Sequence, residues 1–309
     1  MYYSSHWDEA PVISPPLNLS LHATEALVMQ ITRLDCNPII TPETHGSIGD
    51  NINGPSLIRA PGWLQNPLGR YYLYFAHHKG KHIRLACADD LCGPWEVYEP
   101  GVLHLEQAPC RNHVASPDVH IDDGRLRMYF HGPTDEGQKT FAATSTDGLH
   151  FDARPEVLGP SYFRVFEWAN AYYAIARDGC VYRSEDPLAS FEQGQELFEN
   201  LRHCAVRIVD STLQVFYSDV GDTPERIVLS NVNLDGDWRT WSAGDEETIL
   251  RPEEPWEGAD LPIQTSEGGW ASEPVHELRD PAIYEEDGRT WLVYSIAGEN
   301  GLAVAEIMD

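Results

Sequence analysis

The sequence predicts an all-β chain folded as a five-bladed propeller, and three observations carry that prediction. A short strand-like opening is answered about fifteen residues later by an aromatic-rich apolar run, and the pair recurs five times along the chain. The copies follow one another at roughly 40 to 50 residues, the period of a blade with several strands. After the third strand, four copies carry a turn of Asp, Gly or Pro, residues that favour turns for steric reasons, and then a strand opened by an aromatic residue.

Taken in order, the openings are residues 53–58, 116–121, 163–166, 203–208 and 279–284, and their answering runs are 71–75, 126–130, 172–175, 213–217 and 291–294. The turns that lead to a fourth strand lie at 88–95, 145–151, 184–191 and 233–238. The fifth copy runs out after its third strand, 302–307, which would leave an unpaired edge. The segment around 36–41 is therefore expected to supply the missing strand and close the ring. Residues 1–30 have mixed character and are expected to wrap the outside of a single domain spanning 1–309. Residues 242–273 interrupt the repeat with a stretch rich in Glu, Pro, Gly and Trp. It reads either as a cover over the funnel mouth or as a solvated spacer.

Composition narrows the partners. The formal charge is -28, and the lysines are Lys79, Lys81 and Lys139. Nucleic acid and anionic membrane surfaces would be repelled. A neutral or cationic ligand, a saline habitat, or simply a solubilising surface fits this charge. The six cysteines show no framework spacing and are expected to be free thiols in a reducing compartment. Cys87 and Cys92 are near each other, but no second pair completes a zinc site. The first residues lack a basic start and apolar core, and no apolar run is long enough to span a bilayer. The expected location is the cytoplasm.

In an up-and-down blade, the start of the first strand and the end of the second lie on one face. That rule gathers Asn53, Asp118, Arg164, His203 and Asp280 from strand starts, with Glu277 and Arg279 beside the last. From second-strand ends it gathers His77, His78, His131, Arg177 and Asp219, and His113 lies close by in sequence. Charged groups at apolar strand starts are costly to bury unless paired or hydrated, so a wet, ligand-binding funnel accounts for them. Each has a plainer alternative. Asp280 before Pro281 fits a turn, Arg279 fits a structural ion pair, and each histidine fits a core or rim position, although their joint appearance on one face favours a ligand. Tyr71, Tyr162 and Trp168 read as packing. Several histidines beside carboxylates also suit a calcium or zinc ion; no other cofactor is expected.

With the lead-in Asn37-Pro38-Ile39-Ile40-Thr41-Pro42, the opening Ser116-Pro117-Asp118-Val119 and the opening Arg279-Asp280-Pro281, the chain resembles the five-bladed glycoside hydrolases of families 43, 32, 117 and 130. Family 43 implies three carboxylates: a base on the first blade, an acid on a later one, and a third that tunes and orients. Asp118 matches the tuning position. The first opening reads Asn53-Gly54-Pro55 where that family has Asp before Pro, and no Glu opens the third or fourth inner strand. Arg279-Asp280-Pro281 is similar to the Arg-Asp-Pro of family 32, whose Asp grips sugar hydroxyls.

Glycoside cleavage needs one carboxylic acid to protonate the leaving oxygen and one carboxylate to activate water or attack carbon. The resulting expectation has Asp280 as base, Glu277 as an acid of raised pKa, and Asp118 as tuner and hydroxyl ligand. Asn53, His77, His78, His113, His131, Arg164, His203, Asp219 and Arg279 would bind the sugar. The activity implied is exo-acting removal of one residue from a short oligosaccharide. Two other classes stay open: a noncatalytic or repurposed sugar-binding propeller, which Gly54 supports, and a phosphorylase or lyase on the same fold, with Arg164, Arg202 and His203 grouped to hold phosphate.

Overall fold

The structure is a computed structural model that describes Met1 and residues 29–308. The N-terminal wrap expected over 1–30 lies, but for its ends, outside the described residues. Five antiparallel sheets follow one another along the chain, three of four strands and two of five. Their innermost strands are Asn53–Arg59, Ala115–Asp122, Arg164–Trp168, Leu201–Val209 and Arg279–Glu286, which open blades one to five in turn. Each pairs antiparallel with the next strand of its own blade, through a short turn in blades two to five and a longer loop, residues 60–70, in blade one.

Five apolar clusters glue the ring, each shared between neighbouring blades. Tyr72 and Tyr74 of blade one pack with Leu126, Phe130 and Phe141 of blade two. Leu73 and Phe75 pack on the other side with Tyr284, Trp291 and Val293 of blade five. The remaining clusters join blades two and three, three and four, and four and five. The alternation of the second strands places successive aromatics on opposite faces of each sheet, so one strand such as Tyr71–Ala76 feeds two interfaces. Burying one such side chain fully contributes about 1.5–3 kcal/mol.

The ring is closed from the N-terminal side, but by Gln30–Arg33 rather than by 36–41. Gln30 pairs with Met308 and Arg33 with Ala305, which completes blade five. Residues 36–41 run on beside the same strand through backbone hydrogen bonds from Ile39 and Ile40 to the Leu302 carbonyl. The displacement arises because Pro38 cannot donate to a ladder and Asn37 turns its side chain to bridge Val304 on both sides. Arg33 then anchors the closing strand, donating to both carboxylate oxygens of the buried Glu257 at 2.8 and 2.9 Å.

Closure also corrects the cysteine reading. Cys36 and Cys92 form a disulfide with Cα atoms 5.5 Å apart, while Cys87, Cys110, Cys180 and Cys204 are free. The partners are 56 residues apart in sequence, and meet only because the N-terminal segment returns to the seam between blades five and one.

Candidate functional site

Three inner strands share one irregularity. Register shifts fall between Asn53 and Ser56, Ala115 and Asp118, and Arg279 and Ala282. In each, the residue before the proline takes a left-handed backbone: Gly54 at φ 56°, Ser116 at 49° and Asp280 at 49°. For Ser and Asp that conformation is strained, and strain of this kind gathers at ligand sites. Its effect here is to set Ser116 and Asp280 on the wall of the central recess and to move the residue two positions on, Ser56, Asp118 or Ala282, toward the opposite end of the channel.

The recess has a volume of about 410 Å³ including its open mouth. Blade one supplies Asn53 and His78, blade two Ala115 and Ser116, and blade five Asp280 and Glu299. Tyr162, Arg177 and Arg202 come from the third and fourth blades and the turn before them, and Gly269 from the long loop that precedes blade five. That loop is hung on the funnel by Arg202, which donates to the carbonyls of Gly269 at 3.0 Å and Glu267 at 2.5 Å. Trp270, beside Gly269, lies under the Lys79 ammonium, 3.6 Å from its ring centre, and against His77.

The two carboxyl groups of the recess are held in opposite states. Asp280 is buried and accepts no hydrogen bond among the described residues. Burial and the neighbouring Glu299 push its carboxyl up to about 6, against Arg202 and Arg279. Burial also opposes ionisation of Glu299, but hydrogen bonding to His78, the charges of His78 and Arg279 and the amide of Asn51 outweigh it and hold the group at about 2. Asn51 and Asn53 donate to Glu299 at 2.5 and 3.0 Å, and Arg279 at 3.2 Å. Two carboxyl groups pushed apart in this way can carry an acid role and an ionised role in one site.

Tyr162 is the third chemical group. Its ring stacks on His131 at 4.0 Å and meets His203 edge-on at 5.2 Å. Burial drives both histidines well below their ordinary range, so they are neutral near neutrality. His131 Nδ1 and both ring nitrogens of His203 lack a partner among the described residues. His113 bridges from His131 toward His78 by ring contacts of 6.1 and 6.3 Å. Among the described residues no three His, Cys, Asp or Glu groups are grouped to hold a metal ion.

The other expected site residues take different places. Arg164 is the floor: it is buried and donates to the carbonyls of Cys204 at 2.9 Å, Pro117 at 2.8 Å and Pro55 at 3.0 Å, tying three inner strands together across the axis. Asp118 lies on the far side of that plug, in a separate recess with Ser56 and His120. Burial would raise it, but His120 at 3.0 Å, Arg164 and the Val165 amide at 2.9 Å hold it below the usual carboxylate range. Glu277 lines an outer recess with Trp270 and not the central one, and burial raises it while Arg279, which donates to it at 2.8 Å, opposes the rise. Arg279 pairs with Glu277, Glu225 and Glu299 behind the recess wall. His77 sits at the rim near Asp50. Asp219 lies beyond Ser266, its carboxyl pushed up to about 7 by burial and by Glu246, Asp222 and Glu225. Of the three groups expected to hold phosphate, Arg164 is taken by carbonyls and Arg202 by Glu225 at 2.6 Å and by the loop, while the ring nitrogens of His203 have no partner among the described residues.

Sequence reasoning missed Glu299, and it read Tyr162, which lines the recess, as packing. Glu299 follows the second strand of blade five, Arg289–Ile296, the position that the strand-end rule applied to the other blades.

No protein-family model matches the chain. Solved structures do match it. A β-1,2-mannoside-targeting glycoside hydrolase of family 130 aligns at a TM-score of 0.66 with 10% identity over 91% of this chain and 94% of that one. An exo-1,5-α-L-arabinanase from a bovine ruminal metagenomic library aligns at 0.58 with 13% identity over 83% and 92%. A family 43 β-xylosidase/α-arabinofuranosidase from a compost microbial metagenome, solved with xylotriose, aligns at 0.57 with 14% identity over 84% and 91%. At these identities the likeness establishes the fold. In sequence the chain is 34% identical over 320 aligned positions, 90% of each chain, to "Uncharacterized protein R118" of Acanthamoeba polyphaga mimivirus. The chain therefore belongs to the family of that mimivirus protein, built on the five-bladed propeller fold of the family 43 and 130 glycoside hydrolases.

Proposed function

We propose that the protein is a glycoside hydrolase that removes one residue at a time from the end of a short oligosaccharide bound in the central recess. The observation that carries this reading is the pair Asp280 and Glu299, one carboxyl raised to about 6 and one held near 2, lining a single recess. In this reading Asp280 protonates the leaving oxygen, and Glu299, ionised and oriented by Asn51 and Asn53, stabilises positive charge developing at the anomeric carbon or directs water to it. His78 and Tyr162 orient hydroxyl groups. The Arg164 plug supports exo action, because a recess closed below admits a chain end and not a through-running chain. The sugars named with the neighbouring structures, xylotriose among them, support a carbohydrate ligand. Glu277, bound by Arg279, and Asp118, beyond the plug, become structural in this account.

The test is product release from a panel of plant and algal oligosaccharides by wild type, Asp280→Asn and Glu299→Gln, with folding checked by circular dichroism. Single residues released from one end, and lost in both variants, would support the reading. Internal products, or turnover unchanged in both variants, would sink it. A sugar-binding propeller without turnover is the second reading. Gly54 favours it, standing where the family 43 pattern places a carboxylate. Binding of a free sugar without cleavage of any glycoside would select it.

A further inference from the structure

The charges around the recess do not all cancel internally. Arg202 is matched by Glu225, and Arg279 by Glu277, Glu225 and Glu299. Arg177 is different. It follows the second strand of blade three, Ala171–Ile175, and lines the recess half-buried. Among the described residues its side chain has one hydrogen bond, to the Leu201 carbonyl, and no carboxylate within ion-pair distance. Its neighbour in sequence, Asp178, turns elsewhere, accepting from Tyr182 Oη at 2.6 Å and from the Cys180 amide at 3.1 Å. Burial and the nearby Arg202 depress the Arg177 guanidinium below its ordinary value. A cation kept partly desolvated without a counter-ion is expensive, and a ligand anion would relieve that cost.

Asp280 does not play that part. It stands on blade five and Arg177 on blade three, with blade four between them, so the two unmatched groups face the recess from separate sides. Tyr162 feels both, with Asp280 and Glu299 raising its hydroxyl and Arg202 and Arg177 opposing them. A guanidinium presents paired donors in a plane, which suits a carboxylate better than a single hydroxyl.

We propose that the recess is selective for an acidic sugar, a uronic acid at the chain end, whose carboxylate is received by Arg177 while its glycosidic oxygen faces Asp280. This names the substrate class for the site proposed above and rests on that reading. Arg177 is a specificity-determining residue here and takes no part in bond cleavage.

The experiment is isothermal titration of the full chain with methyl glucuronide and methyl galacturonide, with the corresponding neutral methyl glycosides, and with inorganic phosphate. It is run on wild type, Arg177→Gln and Arg177→Lys. The expected result is that at least one uronide binds about ten- to a hundredfold more tightly than its neutral counterpart, the range of a charge-assisted hydrogen bond. Arg177→Gln should remove that preference, and Arg177→Lys, which keeps charge without the fork, should retain part of it. Equal binding of uronide and neutral glycoside, a preference that survives in folded Arg177→Gln, phosphate bound in place of the uronide, or no binding of either uronide would each overturn the inference. Failure of this inference is separable from failure of the hydrolase reading. Cleavage of neutral oligosaccharides without uronide preference sinks the first alone, and tight uronide binding without cleavage of any glycoside sinks the second alone.

Discussion

Replacing Arg164 with Met tests whether one guanidinium holds the centre of the ring. The side chain is 4% exposed, and its three nitrogens each reach a backbone carbonyl of a different strand: Pro55 in blade one, Pro117 in blade two and Cys204 in blade four. Met fills nearly the same volume and donates nothing, so the loss is almost entirely polar. Three buried carbonyls left unsatisfied cost about 1–3 kcal/mol each, or about 3–9 kcal/mol together. Asp118 also loses a cation 3.4 Å away, although His120 and the Val165 amide remain. Against a typical total stability of about 5–15 kcal/mol, the variant should lie near or below the threshold of folding. Equilibrium urea unfolding followed by tryptophan fluorescence measures it, with Arg164→Lys as an intermediate, because an ammonium keeps the charge but cannot span three carbonyls in a plane. A loss of less than about 1 kcal/mol in Arg164→Met would refute the reasoning, since a single unmet carbonyl should exceed it.

Four further outcomes follow from the same geometry. If Asp280 is the acid, turnover should fall as pH rises through about 6. Its raised value also means that its contribution to stability is full below about 3.8 and is lost as pH rises through about 6, so the Asp280→Asn variant should show a flatter stability profile over that window in thermal melts. Removing the Cys36–Cys92 disulfide in a Cys36→Ser, Cys92→Ser double variant should lower stability by up to about 4 kcal/mol on loop-entropy grounds for partners 56 apart, read as a lower urea midpoint; no change would mean the ring seam does not need the link. Gly54→Asp, which writes in the carboxylate of the family 43 pattern, should destabilise by about 1–3 kcal/mol and leave turnover no higher. Its Cβ would stand 3.0 Å from Ser116 Cα on a backbone at φ 56°. A gain in turnover would show that the recess lacks only that acid.

The propeller was legible because each blade repeats the same physical solution, an apolar second strand that serves two interfaces. Tyr71, Tyr72, Leu73, Tyr74 and Phe75 spell that out in one run, and all are buried. The wall of the recess was legible at Asn53 and at Asp280, which the strand-start rule placed there, whereas Arg279 stands behind that wall among its carboxylate partners. The rule was misleading at Asp118, because a register shift between Ala115 and Asp118 exchanges which residue faces the recess, and Ser116 takes that place. Nothing in Ser-Pro-Asp-Val marks that shift except its likeness to Asn-Gly-Pro and Arg-Asp-Pro, which becomes informative only once the three are superposed in register. Glu299 was within reach of the strand-end rule and lay in the one blade where it was not applied. The disulfide was out of reach, since neither cysteine carries a sign of ring closure in its neighbours.

The measurement that bears most directly on the central claim is kcat/KM of Asp280→Asn and Asp118→Asn, side by side, on whichever oligosaccharide the wild type cleaves best. The account predicts a loss of about 100-fold or more for Asp280→Asn, the usual cost of losing a general acid. It predicts a change of only a few-fold (about 1 kcal/mol or less) for folded Asp118→Asn, whose carboxylate lies beyond the Arg164 plug. Equal losses in the two variants, or full activity in Asp280→Asn, would contradict it.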